Sequence, residues 1–312
     1  MEEGELLNLI KIMSDDSMHS NREGEYSNEG SPSWFAFRKV EQLVDVSIVP
    51  FLVSLVEKSK DIVIRKNIYF IIGKIGTNTG DRRVADILLK RLDTESKKYL
   101  LLEILSRIAE QRNVNDCSSI INFIDDKRSL VRHTAIDALR SCESCLAEDT
   151  LIKIISNSTD EYDLLYANSV LSEIGTDKAI SPLINLLDHP KADVKCTALW
   201  ALNELGNTSL LPVFLKALDD RSPAVKGYAM LAIHRHGNES AINSVIKRIR
   251  NILKRKRSVD SDELLLAFEF LIRYKDSYKE INNLLEWIIS NKLDFLFGKE
   301  EKWVNKNVNP SN

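Results

Sequence analysis

The chain has 312 residues, 44% of them apolar, and its 43 basic and 46 acidic side chains leave a net charge of −3. That supports a sizeable core and excludes a generally basic nucleic-acid binder, although a local patch stays open. Only 11 glycines and 7 prolines disfavour an all-β chain, which needs many turns, and four cysteines are too few for a disulfide scaffold at this length.

The first residues, Met1-Glu2-Glu3-Gly4-Glu5, lack the basic-then-apolar pattern of a secretory signal. A short helix is expected over Glu5–Met13. The stretch 14–33 is rich in Ser, Asn, Glu and Gly, with Met18 and Tyr26 its only large apolar groups, and reads as a polar linker. Trp34-Phe35-Ala36-Phe37 follows, either as a partner anchor or as a seal over the first repeat. Residues 1–45 are thus expected to form an N-terminal cap region. No apolar run approaches the roughly 18–20 residues of a membrane span; the nearest, Tyr99–Ile108, is interrupted by Glu103 and Arg107. The expectation is a soluble cytoplasmic protein with reduced thiols and no membrane partner.

From residue 46 to 250 the chain repeats itself. Ile180–Gly206 and Leu211–Gly237 align at a spacing of 31, which pairs Asp188 with Asp219, Val194 with Val225, Lys195 with Lys226, Ala198 with Ala229 and Leu202 with Ile233. One step earlier stand Ala167, Leu171 and Gly175; further steps, with small slips, reach Val131-Arg132, Lys97 and Ile64-Arg65. Six units result, ending near Gly76, Ala109, Glu143, Gly175, Gly206 and Gly237. Each has a short apolar helix, a polar turn such as Asp219-Asp220-Arg221-Ser222-Pro223, and a second helix with apolar residues at helical spacing: Val194, Ala198, Leu202, Leu205. The closing glycine is expected as a left-handed helix end. One helix pair cannot bury its apolar face alone, whereas stacked pairs share a continuous core. The expected fold is all-α: an α-solenoid, a superhelix of about six helix pairs with helical caps.

With Pro in the first helix, Asp before the turn and Val-Lys/Arg opening the second, these units resemble HEAT repeats, in the short form known from phycobilin lyase subunits. The resemblance implies scaffold or adaptor work, and a polar ladder between neighbouring repeats. By motif position its members would be Asp126 with Arg132, Asp188 with Lys195 and Asp219 with Lys226.

Past Gly237 the pattern loosens. The stretch Lys247–Arg257 concentrates seven bases: Lys247, Arg248, Arg250, Lys254, Arg255, Lys256 and Arg257. These are candidates for phosphate or acidic-partner contact, or simply a solvated helix end. No aromatics alternate with them, which disfavours a single-strand stacking platform. Ser261-Asp262-Glu263 marks a helix start; helices near 262–275 and 278–296 would complete a C-terminal cap over 251–312, with 306–312 frayed.

Chemistry-bearing motifs are scarce. Cys142 and Cys145 form a lone C-x-x-C; zinc would need two more ligands, for which Cys117 and His133 are the candidates in the same unit, and free thiols are the alternative. None of the five histidines precedes a glutamate, and no phosphate loop, G-x-S-x-G or H-E-x-x-H occurs. No catalytic residue, cofactor or metal is expected.

Taking Ala198 as the centre of the buried face and stepping about 100° per residue, Cys196, Trp200 and Asn203 fall opposite. In HEAT-like arrays the second helices line the concave side. Equivalent positions include Phe70, Gly73, Tyr99, His133, Asp137, Arg140, Leu165, Leu231 and His234. Trp200 with Leu165 and Leu231 would make an apolar strip suited to recognition unless neighbouring helices bury it. The expected function is a non-catalytic protein-binding scaffold or adaptor that receives a protein or peptide on the concave face, through Phe70, Tyr99, Asp137, Arg140, Leu165, Trp200, Asn203, Leu231 and His234. The alternatives are nucleic-acid or DNA-repair-associated binding through 247–257, and an accessory subunit of a bilin-type lyase.

Overall fold

The computed structural model describes residues 1–15, 17, 29–112, 114–143 and 145–308. Among these the regular structure is helical, and an isolated bridge between Val114 and Cys142 is the sole β feature. Most of the polar stretch 14–33 lies outside the described residues, as do His19, Ser144 and residues 309–312 of the tail. The chain divides into two compact units, Met1–Val170 and Leu171–Asn312.

The first unit runs α1 (Glu3–Ser14), α2 (Pro32–Val40), α3 (Val49–Lys58), α4 (Ile62–Thr79), α5 (Arg82–Thr94), α6 (Lys98–Ala109), α7 (Ser118–Ile121), α8 (Ser129–Ala138), α9 (Cys145–Asn157) and the start of α10 (Glu161–Ile174). The second holds the end of α10, then α11 (Asp177–Asn185), α12 (Ala192–Leu205), α13 (Leu211–Ala217), α14 (Pro223–His236), α15 (Ile242–Ile252), α16 (Glu263–Ile272), α17 (Lys279–Asn291) and α18 (Gly298–Val308).

Helices pair as α3 with α4, α5 with α6 and α7 with α8 in the first unit, and as α11 with α12, α13 with α14 and α15 with α16 in the second. The second helices then stack in sequence, α4 on α6 on α8 and α12 on α14 on α16. This is α-solenoid construction in each unit. The apolar stripe predicted from Val194, Ala198 and Leu202 is fully buried, as are Ala229 and Ile233 one repeat later. Short polar side chains set the helix starts. Asp61 accepts from the amides of Val63 and Ile64 at 2.7 and 3.1 Å ahead of α4. Asn207 and Asn238, one repeat apart, accept from Ser209 and Ser240 at 2.8 and 3.0 Å and open the turns before α13 and α15.

The repeat glycines do a different job from the one expected. Gly206 and Gly237 have φ of −84° and −69°, so neither is left-handed. A Cβ at Gly206 would lie 2.4 Å from the Leu202 carbonyl oxygen and 2.7 Å from Leu210; at Gly237 it would lie 2.8 Å from Phe270. Glycine stands there because a Cβ would press on the carbonyl four residues back in its own helix and on an apolar side chain packed against the helix end. The left-handed end occurs instead at Gly80, φ 66°, four residues beyond Gly76.

At the N-terminus α1 buries Leu6, Leu9, Ile10 and Met13 against α2 and α4. The aromatic run divides: Phe37 meets Phe70 edge-on at 5.4 Å, while Phe35 stays exposed. At the C-terminal end α16 and α17 lie near their expected positions, but α18 was not anticipated, and 306–308 belong to it. No helix among the described residues is long and apolar enough to cross a membrane.

Candidate functional site

Within the second unit a cavity of about 860 Å³ opens beside α14. Its floor is one face of that helix: Pro223, Ala224, Gly227, Tyr228 and Leu231. Trp200 of α12 walls one side. The opposite wall is Ile252 of α15, the connecting loop from Lys256 to Asp262, and Leu264 and Leu266 of α16. Trp200 is 41% exposed and Val259 72% exposed, so both offer apolar surface to the cavity. Gly227 matters to the shape, because an added Cβ there meets nothing within 4 Å and the helix surface stays open.

Trp200 and Leu231, named from helical spacing, are thus brought together, one repeat apart. Leu165 is half-buried and belongs to the first unit. Asn203 does not fit the expected accessible face. It is 3% exposed, its amide nitrogen reaches Glu204 at 3.0 Å, and its backbone oxygen meets His236 Nε2 at 2.8 Å. Cys196 and His133, read as outward by the same rule, are buried as well. The wheel treats a helix as having one neighbour; a stacked second helix has one on each side, and only a narrow strip between them stays open. Gly73 is covered by the Arg107 side chain for the same reason.

The remaining strip positions are dispersed. Phe70 is half-buried under Arg107, whose guanidinium lies 5.1 Å from the ring. Tyr99 is 64% exposed. Asp137 pairs with Arg140 on its own helix end. His234 sits 3.3 Å from Glu269; burial, then the nearby Arg273 charge, depress its pKa against the opposing pull of Glu269.

The basic run 247–257 does not act as one patch. Arg248 is held by Glu263 through two contacts of 2.6 and 2.9 Å. Arg257 is clamped by the fully buried Glu300 and by the Phe295 carbonyl, with its guanidinium 4.7 Å from the Phe297 ring. As free phosphate contacts both are therefore corrected: each is half-buried and its charge is already matched. Arg250 stacks over Trp287 at 5.0 Å. Lys247, Lys254, Arg255 and Lys256 remain exposed. Sequence reasoning missed Glu300 and the Lys299 clamp on Asp260 and Asp262, at 3.1 and 2.6 Å, which together hold the loop wall through α18.

The polar ladder exists, with different partners. Lys195 reaches Asp220 at 2.7 Å and not Asp188, which meets Lys216 at 3.5 Å. Burial raises the Asp220 pKa, but the hydrogen bond from Lys195 and the Ser222 amide outweigh it and the net shift is downward. The Asp126 carboxylate binds Arg128, whereas Arg132 donates to the Asp126 backbone oxygen at 3.0 Å and spans the carboxylates of Asp160 and Asp163 at 2.6 and 2.8 Å. Each rung links a basic residue to an acid of the following repeat, 25 to 31 positions on.

Two donor clusters bear on metal binding. Cys142 is buried, and burial followed by the neighbouring Cys117 pushes its thiol up to about 12. Cys145 is exposed, and among the described residues no group of three donors contains either cysteine. His133, Asp160 and Asp163 do converge, with His133 Nε2 3.2 Å from Asp163. Arg132 occupies the same carboxylates, so the cluster is a ladder rung whose cation is already in place.

A HEAT-repeat profile matches residues 148–221 and 180–255. Among solved structures, YibA of Escherichia coli is similar at 16% identity with a TM-score of 0.55, covering 94% of this chain and all of its own. An engineered protein, at 17% identity and TM-score 0.47, covers 96% of this chain and 88% of its own. The complex of CpcE and CpcF of phycocyanin lyase from Nostoc, at 16% and 0.43, covers 87% and 99%. At these identities only the first carries weight, and it speaks for the fold. No curated protein is significantly similar in sequence. Residues 148–255 thus match the HEAT-repeat model, and the paired helices on either side of them are stacked in the same α-solenoid manner.

Proposed function

We propose that the chain is a non-catalytic protein-binding scaffold which seats an apolar side chain of its partner in the cavity between Trp200, α14 and the 256–262 loop. The observation that carries this reading is the pairing of exposed Trp200 with Leu231 and Val259 around about 860 Å³ of open space. That volume suits a bulky side chain and its neighbours, and tryptophan is favoured at the energetic centre of interfaces. Two of the arginines lining the cavity are already matched, Arg248 by Glu263 and Arg257 by Glu300, which suits recognition by shape and apolar contact.

Affinity capture with wild type and Trp200→Ala, compared by quantitative mass spectrometry, tests it. Loss of a central interface tryptophan costs about 2 kcal/mol or more, roughly thirtyfold in affinity, so a specific partner should vanish from the variant while its melting temperature stays close to wild type. Equal capture by both proteins would contradict the proposal. The nucleic-acid alternative is supported by the exposed Lys247, Arg250, Lys254, Arg255 and Lys256; it demands binding that weakens steeply with salt.

A further inference from the structure

The cavity and its rim differ in charge, and that difference says what an occupant must carry. The lining charges Arg248, Glu263, Arg257 and Asp262 each have a partner: Arg248 with Glu263, Arg257 with the buried Glu300, and the exposed Asp262 with Lys299. A further charge entering there would lose its water without gaining a partner. The interior therefore selects a neutral, apolar group. The rim is different. Lys254, Arg255 and Lys256 are consecutive and exposed. Among the described residues no carboxylate lies within ion-pair distance of Lys254 or Arg255, and Lys256 lies 3.5 Å from Asp294, itself 75% exposed, and 5.8 Å from the centre of the Phe295 ring. The loop that carries these cations is held in place by Arg257 and by the Lys299 clamp.

We infer that the occupant is an acidic-flanked apolar segment: a peptide with one bulky apolar side chain against Trp200, Gly227 and Leu231, and Asp or Glu residues beside it facing Lys254, Arg255 and Lys256. This rests on the partner-binding reading above and adds the partner's chemistry. Gly227 supplies the control. Because an added Cβ there meets nothing within 4 Å, Gly227→Leu starts without a backbone clash and its side chain grows into the cavity that Gly227 lines.

The experiment is selection from a random displayed-peptide library on the full chain, with wild type, Gly227→Leu and the triple variant Lys254→Glu/Arg255→Glu/Lys256→Glu as baits. Thermal melts of all three confirm folding. Wild type should enrich peptides that pair a large apolar residue with neighbouring acids. Their binding should fall at least about tenfold on Gly227→Leu and weaken with added salt. The triple variant should select basic flanks around the same apolar anchor. Apolar-anchored peptides with no acidic preference, indifferent to the triple variant, would overturn this inference and leave the cavity reading standing. Peptides that bind Gly227→Leu as well as wild type, or no enrichment at all, would overturn both. Displacement of the peptides by a single-stranded oligonucleotide as readily as by free peptide would assign the rim cations to nucleic acid and overturn the inference as well.

Discussion

Gly227 is a residue whose effects on stability and on binding can be separated. It lies inside α14, where glycine is less favourable than alanine by roughly 0.5–1 kcal/mol, and nothing opposes an added methyl group. Gly227→Ala should raise stability by about that amount in denaturant titration; a loss would mean that the floor is packed. His234 gives a residue-scale test in pH. Burial and Arg273 hold its pKa below the ordinary value near 6.5. The unfolded chain then binds the proton more readily, so this contribution to stability is present above about 6.5 and lost as pH falls through the lowered folded value. His234→Gln should therefore flatten the decline in stability on acidification, read as melting temperature against pH; an unchanged slope would assign the decline to other groups. At this scale the sequence was informative wherever one helix face decides. Val194, Ala198 and Leu202 were legible as core and Trp200 as exposed. Asn203, Cys196 and His133 were not, because their burial depends on neighbouring repeats that a single wheel omits.

Among the elements, α18 is the one that the sequence concealed and the candidate site needs. Its segment, GKEEKWVNKNV, is mostly polar and lacks the apolar stripe that marks a packed helix. It docks through a few specific groups: Trp303 stacks on Phe268 at 5.4 Å, Val304 is fully buried, and Glu300 clamps Arg257. Removing one partner of a buried ion pair strands the other charge. Glu300→Ala should cost about 3 kcal/mol and free the 254–262 loop, so that limited proteolysis cuts there first. Cleavage elsewhere, with the loop still protected, would show that α18 is not what holds it. The basic run makes the complementary point. Its composition was plain in the sequence, but the separation of the clamped Arg248 and Arg257 from the exposed bases depends on acids 15 and 43 positions away.

For the molecule as a whole, the 31-residue period carried the fold. The apolar columns recur along the repeats because stacked helix pairs share one continuous core, and the glycine and asparagine columns recur in the second unit at Gly206 and Gly237 and at Asn207 and Asn238. Energetics should then be local. Arg132 with Asp160 and Asp163 in the first unit, and Lys195 with Asp220 in the second, share no partner. The stability losses of Arg132→Ala and Lys195→Ala should add in the double variant to within about 0.5 kcal/mol; a larger discrepancy would show coupling beyond nearest neighbours. The functional claim narrows to one region of the second unit, and hydrogen exchange on the full chain tests it most directly. With the tightest selected peptide bound, protection should rise over 223–231 and the 254–262 loop and stay unchanged elsewhere. Protection that appears at other helices, with these two segments unaffected, would contradict the account.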